Sequence, residues 1–117
     1  VIRHPLSGDE YKINENCTWI IRAAEVDTIT ISFDSFRTEY VYDVLTIRDG
    51  DSNEDVVIGK FSGGTVPPSV KTSNNSAHLF FKSDESKPRT GFELRWGHPN
   101  MLHRHDGGTA HPCGVPA

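Results

Sequence analysis

Between Cys17 and Trp96 the chain alternates apolar and polar side chains in short bursts, and the period is two. Thr28-Ile29-Thr30-Ile31-Ser32-Phe33 is the plainest case, with Ile29, Ile31 and Phe33 on one side and hydroxyls on the other, the pattern of a strand with one dry and one wet face. Cys17-Thr18-Trp19-Ile20-Ile21-Arg22-Ala23 precedes it, rich in β-branched and aromatic residues, with Trp19 and Ile21 facing one way. Leu45 and Ile47 alternate with Val44, Thr46 and Arg48; Val56 to Phe61, Ala77 to Lys82 and Gly91 to Trp96 follow as further strands, and Ser69 to Thr72 as a brief one. Leu79 and Phe81 share a face, as do Phe92, Leu94 and Trp96. Turn residues separate the bursts: Asp49 to Asn53, Gly63-Gly64 with Pro67-Pro68, Ser73 to Ser76, and Ser83 to Pro88. Residues 1 to 16 read as a loop or short edge strand. No window repeats apolar residues at helical spacing over three turns, so the pattern predicts an all-β sandwich of two antiparallel sheets.

A chain of 117 residues is one domain's worth and can bury a continuous core. After Trp96 the composition shifts to His, Gly and Pro, which sets a domain over 1–96 against a tail or linker over 97–117. The formal charge is −4, from 12 basic and 16 acidic residues, with no basic cluster; nucleic acid is therefore not an expected partner. No apolar run approaches the roughly 20 residues that cross a bilayer, so membrane insertion is not expected either. Val1 in place of a start methionine reads as a processed or excised piece. Cys17 and Cys113 are too few for a disulfide framework, and one long-range bridge or two free thiols are both open. Asn16-Cys17-Thr18 and Asn74-Asn75-Ser76 have the form of N-glycosylation acceptors and point to a secreted protein.

The stretch from Phe36 to Gly50 joins two strands through a loop that carries Glu39 and Asp43, with Tyr40 and Tyr42 on either side of Val41. Asp84 lies on the loop that leaves the Leu79–Phe81 strand, so three carboxylates can meet at one end of a sandwich. Carboxylates so placed repel unless a cation sits among them, and hard oxygen donors suit Ca²⁺. Three separately solvated loop carboxylates are the plainer alternative.

The residue blocks themselves carry a resemblance. Tyr11, Cys17 to Ile21, Ile29 to Phe33 leading to Phe36, Tyr42 to Gly50, Gly59 to Gly64, Leu79 to Asp84 and Gly91-Phe92 resemble the blocks of a CUB domain, in order and at about the family's spacing over residues 1–96. The resemblance implies a jelly-roll β-sandwich, extracellular, used for protein recognition. It also implies that Glu39, Asp43 and Asp84 ligate Ca²⁺ as in the family's calcium-binding members, with Tyr11 supporting the site. The cysteines depart from the pattern: of the usual four only Cys17 matches, its upstream partner is absent, and Ser62 stands where the Phe-Cys-Gly cysteine would be. Cys17 then has Cys113 as its alternative partner.

Other motifs lead elsewhere and less far. Asp49 to Asp55 begins like an EF-hand loop, but Glu54 and Lys60 occupy the positions that need Gly and Glu, and no helices flank it. His98, His103, His105, His111 and Cys113 hold zinc-ligand types in a Gly/Pro-rich tail that seldom preorganises ligands. No nucleophile has a base and an orienting group in view, so catalysis is not expected. The expected function is calcium-dependent recognition of an extracellular protein partner through a Lys or Arg, with Tyr40 or Tyr42 beside the carboxylates. A glycan-binding, lectin-like sandwich is the alternative, because a fold does not fix a function.

Overall fold

The computed structural model describes residues 1–6, 8–97 and 113. Its strands are β1 (Ile2–His4), β2 (Asn16–Arg22), β3 (Thr30–Arg37), β4 (Val44–Arg48), β5 (Val57–Phe61), β6 (Val70–Lys71), β7 (Ser76–Lys82) and β8 (Gly91–Gly97). They form two four-stranded antiparallel sheets, ordered β1-β8-β3-β6 and β2-β7-β4-β5. This is the all-β sandwich that the alternation predicts, and no helix is present among the described residues. Among the described residues no helix is long and apolar enough to cross a membrane.

The inward-facing residues of both sheets make one core. Trp19 and Ile21 of β2, Ile31 and Phe36 of β3, Leu45 and Ile47 of β4, Leu79 and Phe81 of β7, and Phe92 and Leu94 of β8 are all buried in it. Ile29 is buried too, just ahead of β3. Aromatic rings meet edge to face across the layers, Trp19 on Phe92 and Phe81 on Phe92 with centroids 5.6 and 5.5 Å apart.

The third strand runs longer than the pattern predicts. Simple alternation ends at Phe33, but a register shift against β8 between Phe33 and Ser35 inserts an extra residue, after which Phe36 faces Phe92 and Arg37 faces Gly91. A bulge of this kind restarts the inward face on a new phase. Phe36 is buried as a result, while Phe33 is only partly so. At the start of β8, Gly91 allows a close approach of the chain on the other side: its φ is +89°, and a Cβ there would overlap the main-chain oxygen of His4.

The first residues form an edge strand after all, β1 on β8. At the matching edge of the other sheet, Cys113 pairs with Cys17 as an isolated antiparallel bridge and is bonded to it through sulfur. That contact covers part of the otherwise open side of β2. His98, His103, His105 and His111 lie outside the described residues, and with them the tail zinc set. Asn16 is exposed at the head of β2. Asn74 is engaged: its Nδ2 donates to Asp49 Oδ1 at 3.0 Å, and its Oδ1 accepts from the Ser76 N–H and hydroxyl.

Candidate calcium site

The loop between β3 and β4 is fixed from below before any ligand is considered. Thr38, buried, accepts the Gly63 N–H at 3.0 Å and donates its hydroxyl proton to the Asp43 carbonyl at 2.8 Å. The Asp43 N–H closes back on the Glu39 carbonyl at 3.0 Å. Val41, at φ +76°, donates its N–H to Ser62 Oγ at 2.9 Å. Ser62 thus supports the loop by a hydrogen bond from the position where the resemblance would put a disulfide.

On this frame the three acids come together. Ligand oxygens of Glu39, Asp43 and Asp84 lie within 4.8 Å of one another. Asp43 is fully buried; its Oδ2 accepts the Tyr11 hydroxyl at 2.5 Å and its Oδ1 the Asp84 N–H at 2.8 Å. The Glu39 N–H donates to the same Tyr11 oxygen at 3.1 Å. Burial first, and the Asp43 carboxylate next, hold the Tyr11 phenol far above its ordinary value, so it stays a donor.

Glu39 is the unsettled member. Its Oε1 is shut from solvent and has no hydrogen-bond partner. Desolvation and the neighbouring Asp84 raise its carboxyl above the ordinary 4.5, Asp43 adds to the rise, and Lys87 opposes it. No ion pair to Lys, Arg or His reaches any of the three among the described residues. An orphaned buried oxygen beside two further carboxylates, with no basic side chain in ion-pair contact among the described residues, fits a hard divalent ion; each Asp43 oxygen keeps a lone pair after its hydrogen bond. Glu39, Asp43 and Asp84 are the side chains that could hold a metal ion there.

Tyr40 and Tyr42 stand at the rim, 73% and 64% exposed, with Val41 exposed between them. Sequence reasoning missed the fixing roles of Thr38 and of the Asp84 N–H. Both act through contacts distant in sequence, which no local pattern records. A second group of ligand types, His4, Glu15, Cys17 and Cys113, also converges. Its sulfurs are bonded to each other, and His4 Nε2 meets Glu15 Oε1 at 2.7 Å, so it reads as a buried structural cluster.

Comparison with known proteins gives the architecture a family. The chain is 36% identical over 101 residues to the Cubilin homolog of Drosophila melanogaster, covering 81% of this chain and 3% of that protein. It is 36% identical over 99 residues to Bone morphogenetic protein 1 of Xenopus laevis, covering 81% of this chain and 14% of that one. The chain therefore spans only a small part of these relatives. Among solved structures it is similar to the MASP-1 CUB2 domain bound to Ca²⁺, at 27% identity and a TM-score of 0.69, covering 81% of this chain and 88% of that one. The full extracellular region of zebrafish Gpr126/Adgrg6 matches with 26% identity and a TM-score of 0.69, over 81% of this chain and 13% of that one. With the CUB domain model matching residues 2–96 as well, the chain belongs to the CUB domain family.

Proposed function

We propose that this domain recognises a protein partner outside the cell in a calcium-dependent manner, by offering carboxylate oxygens to a Lys or Arg of that partner. CUB domains are protein-interaction modules of extracellular proteins, generally without catalysis of their own. One observation carries the calcium part: the partnerless buried Oε1 of Glu39, beside Asp43 and Asp84, with no basic side chain in ion-pair contact among the described residues. The structural relative solved with Ca²⁺ adds support from outside the chain.

The chemistry follows from the placement. Ca²⁺ at the three acids would relieve their repulsion and hold the loop with its outward oxygens toward solvent. A partner ammonium or guanidinium there forms charge-assisted bonds, stronger than neutral ones. Tyr40 and Tyr42, exposed beside them, supply ring faces for the stem of the basic side chain.

Two short peptides that differ only in a central lysine or norleucine test this reading by NMR titration, each with calcium and with chelator. The expected outcome is a saturable shift of the Tyr40 and Tyr42 signals by the lysine peptide in calcium alone. Equal shifts from both peptides, or shifts undiminished by chelator, would overturn it.

A further inference from the structure

The outer face of the β2-β7-β4-β5 sheet carries a cavity of about 290 Å³ at the end of β4 away from the three acids. Its β4 residues Thr46 and Arg48 stand three and five positions beyond Asp43, about 10 and 17 Å along the strand at roughly 3.4 Å per residue. Two neighbouring cross-strand rows build it: Thr18, Phe80 and Thr46 in one, His78 and Arg48 in the next, with Asn53 at the rim. His78 is 7% exposed, and its Nδ1 has no hydrogen-bond partner. A buried imidazole nitrogen left without a partner costs stability that a ligand could return.

The lining offers more than the protein takes up. Arg48 spends one Nη1 bond on the Asp55 carbonyl, at 2.8 Å, and forms no ion pair among the described residues. The two carboxylates whose charges reach His78 are engaged elsewhere: Asp51 pairs with Arg22 at 3.2 Å, and Asp55 Oδ2 accepts the Ser52 N–H at 3.0 Å. Burial and the Arg48 charge lower the His78 pKa, so near neutrality the cavity holds one cation and a neutral ring. One guanidinium matches a monoanion such as a carboxylate. Two hydroxyls, an amide and an imidazole both give and accept hydrogen bonds, as sugar hydroxyls require. Phe80, half-buried between the two threonines, presents an apolar surface for the C–H face of a ring.

We infer that this cavity, formed by Thr18, Thr46, Arg48, Asn53, His78 and Phe80, binds an acidic sugar residue of a glycan, its carboxylate on Arg48 and its ring over Phe80. The site stands apart from the calcium loop and does not depend on it. Few polar groups placed around an apolar floor are the usual make-up of a small-ligand pocket.

The test is an NMR titration of the isotope-labelled protein with glucuronate, N-acetylneuraminate, glucose and acetate. Saturable shifts of the Thr18, Thr46, Asn53 and His78 signals by glucuronate or N-acetylneuraminate are expected, with glucose about tenfold weaker for want of one charge-assisted bond, and acetate about tenfold weaker for want of the ring and its hydroxyls. Arg48→Gln should remove the preference for the acidic sugar over glucose. Because that change also frees the Asp55 carbonyl, Thr46→Val serves as a second variant and should weaken binding severalfold with the fold intact. Absence of saturable shifts with either acidic sugar would overturn the proposal. So would glucose or acetate binding as well as the acidic sugars, the latter marking a bare anion site.

Discussion

The Tyr11 hydroxyl donates to Asp43 Oδ2 at 2.5 Å, joining residues 32 apart in sequence, and its own oxygen accepts the Glu39 N–H at 3.1 Å. One buried phenol thereby fixes two of the three acids. Tyr11→Phe removes both bonds with little change of volume, leaving a fully buried carboxylate oxygen and an N–H short of a partner. The expected cost is about 1–3 kcal/mol in chelator, read by denaturant unfolding, together with weaker calcium binding.

Glu39→Gln should act in opposite directions with and without calcium. The Glu39 carboxyl is raised by burial and by Asp84, so its ionised form burdens the metal-free fold, and the stability linked to it is lost as pH rises through its elevated pKa. In chelator at neutral pH the variant should melt higher than the wild type. In excess calcium it should melt lower, because the wild type gains about 2.7 kcal/mol at a hundredfold excess over its Kd and the variant far less. The same direction of change in both conditions would remove Glu39 from the site.

Thr38 links the loop to the Gly63 turn through two bonds of one hydroxyl. Thr38→Val keeps the shape and strands a buried N–H and a carbonyl, with an expected loss of about 1–3 kcal/mol in thermal or denaturant unfolding. Calcium affinity should fall with it, since Asp43 is one of the two residues the hydroxyl holds.

His78 sets a pH dependence of its own. Burial first, then Arg48, lowers its pKa below the ordinary 6.5, against opposing contributions from Asp55 and Asp51. The unfolded chain therefore takes up this proton before the folded one does. Stability linked to His78 is present above pH 6.5 and falls as the pH drops below it. His78→Gln should flatten the stability profile in that window, as measured by unfolding at closely spaced pH values.

Much of the fold was legible because strand alternation is a local property. Ile29 with Ile31, Leu45 with Ile47, and Leu79 with Phe81 all face the core as their spacing predicts. The bulge that buries Phe36 was not legible, because it depends on the register of β3 against β8. The acids Glu39, Asp43 and Asp84 could be singled out from loop position and family resemblance, and in the structure their carboxylate oxygens lie within 4.8 Å of one another. Their supports could not be read in full: Thr38 looks like any loop threonine, and Asp84 contributes through its main-chain N–H. His78 could not be read from the sequence because alternation puts it on the wet face of β7, where it is nonetheless buried in the structure.

Calcium titrated calorimetrically into chelator-stripped protein tests the central claim most directly. The account predicts a saturable one-to-one isotherm for the wild type that disappears in Asp43→Ala, with circular dichroism showing that the variant remains folded. A wild type that releases no binding heat and melts identically in calcium and chelator would contradict it, as would an unchanged isotherm in folded Asp43→Ala.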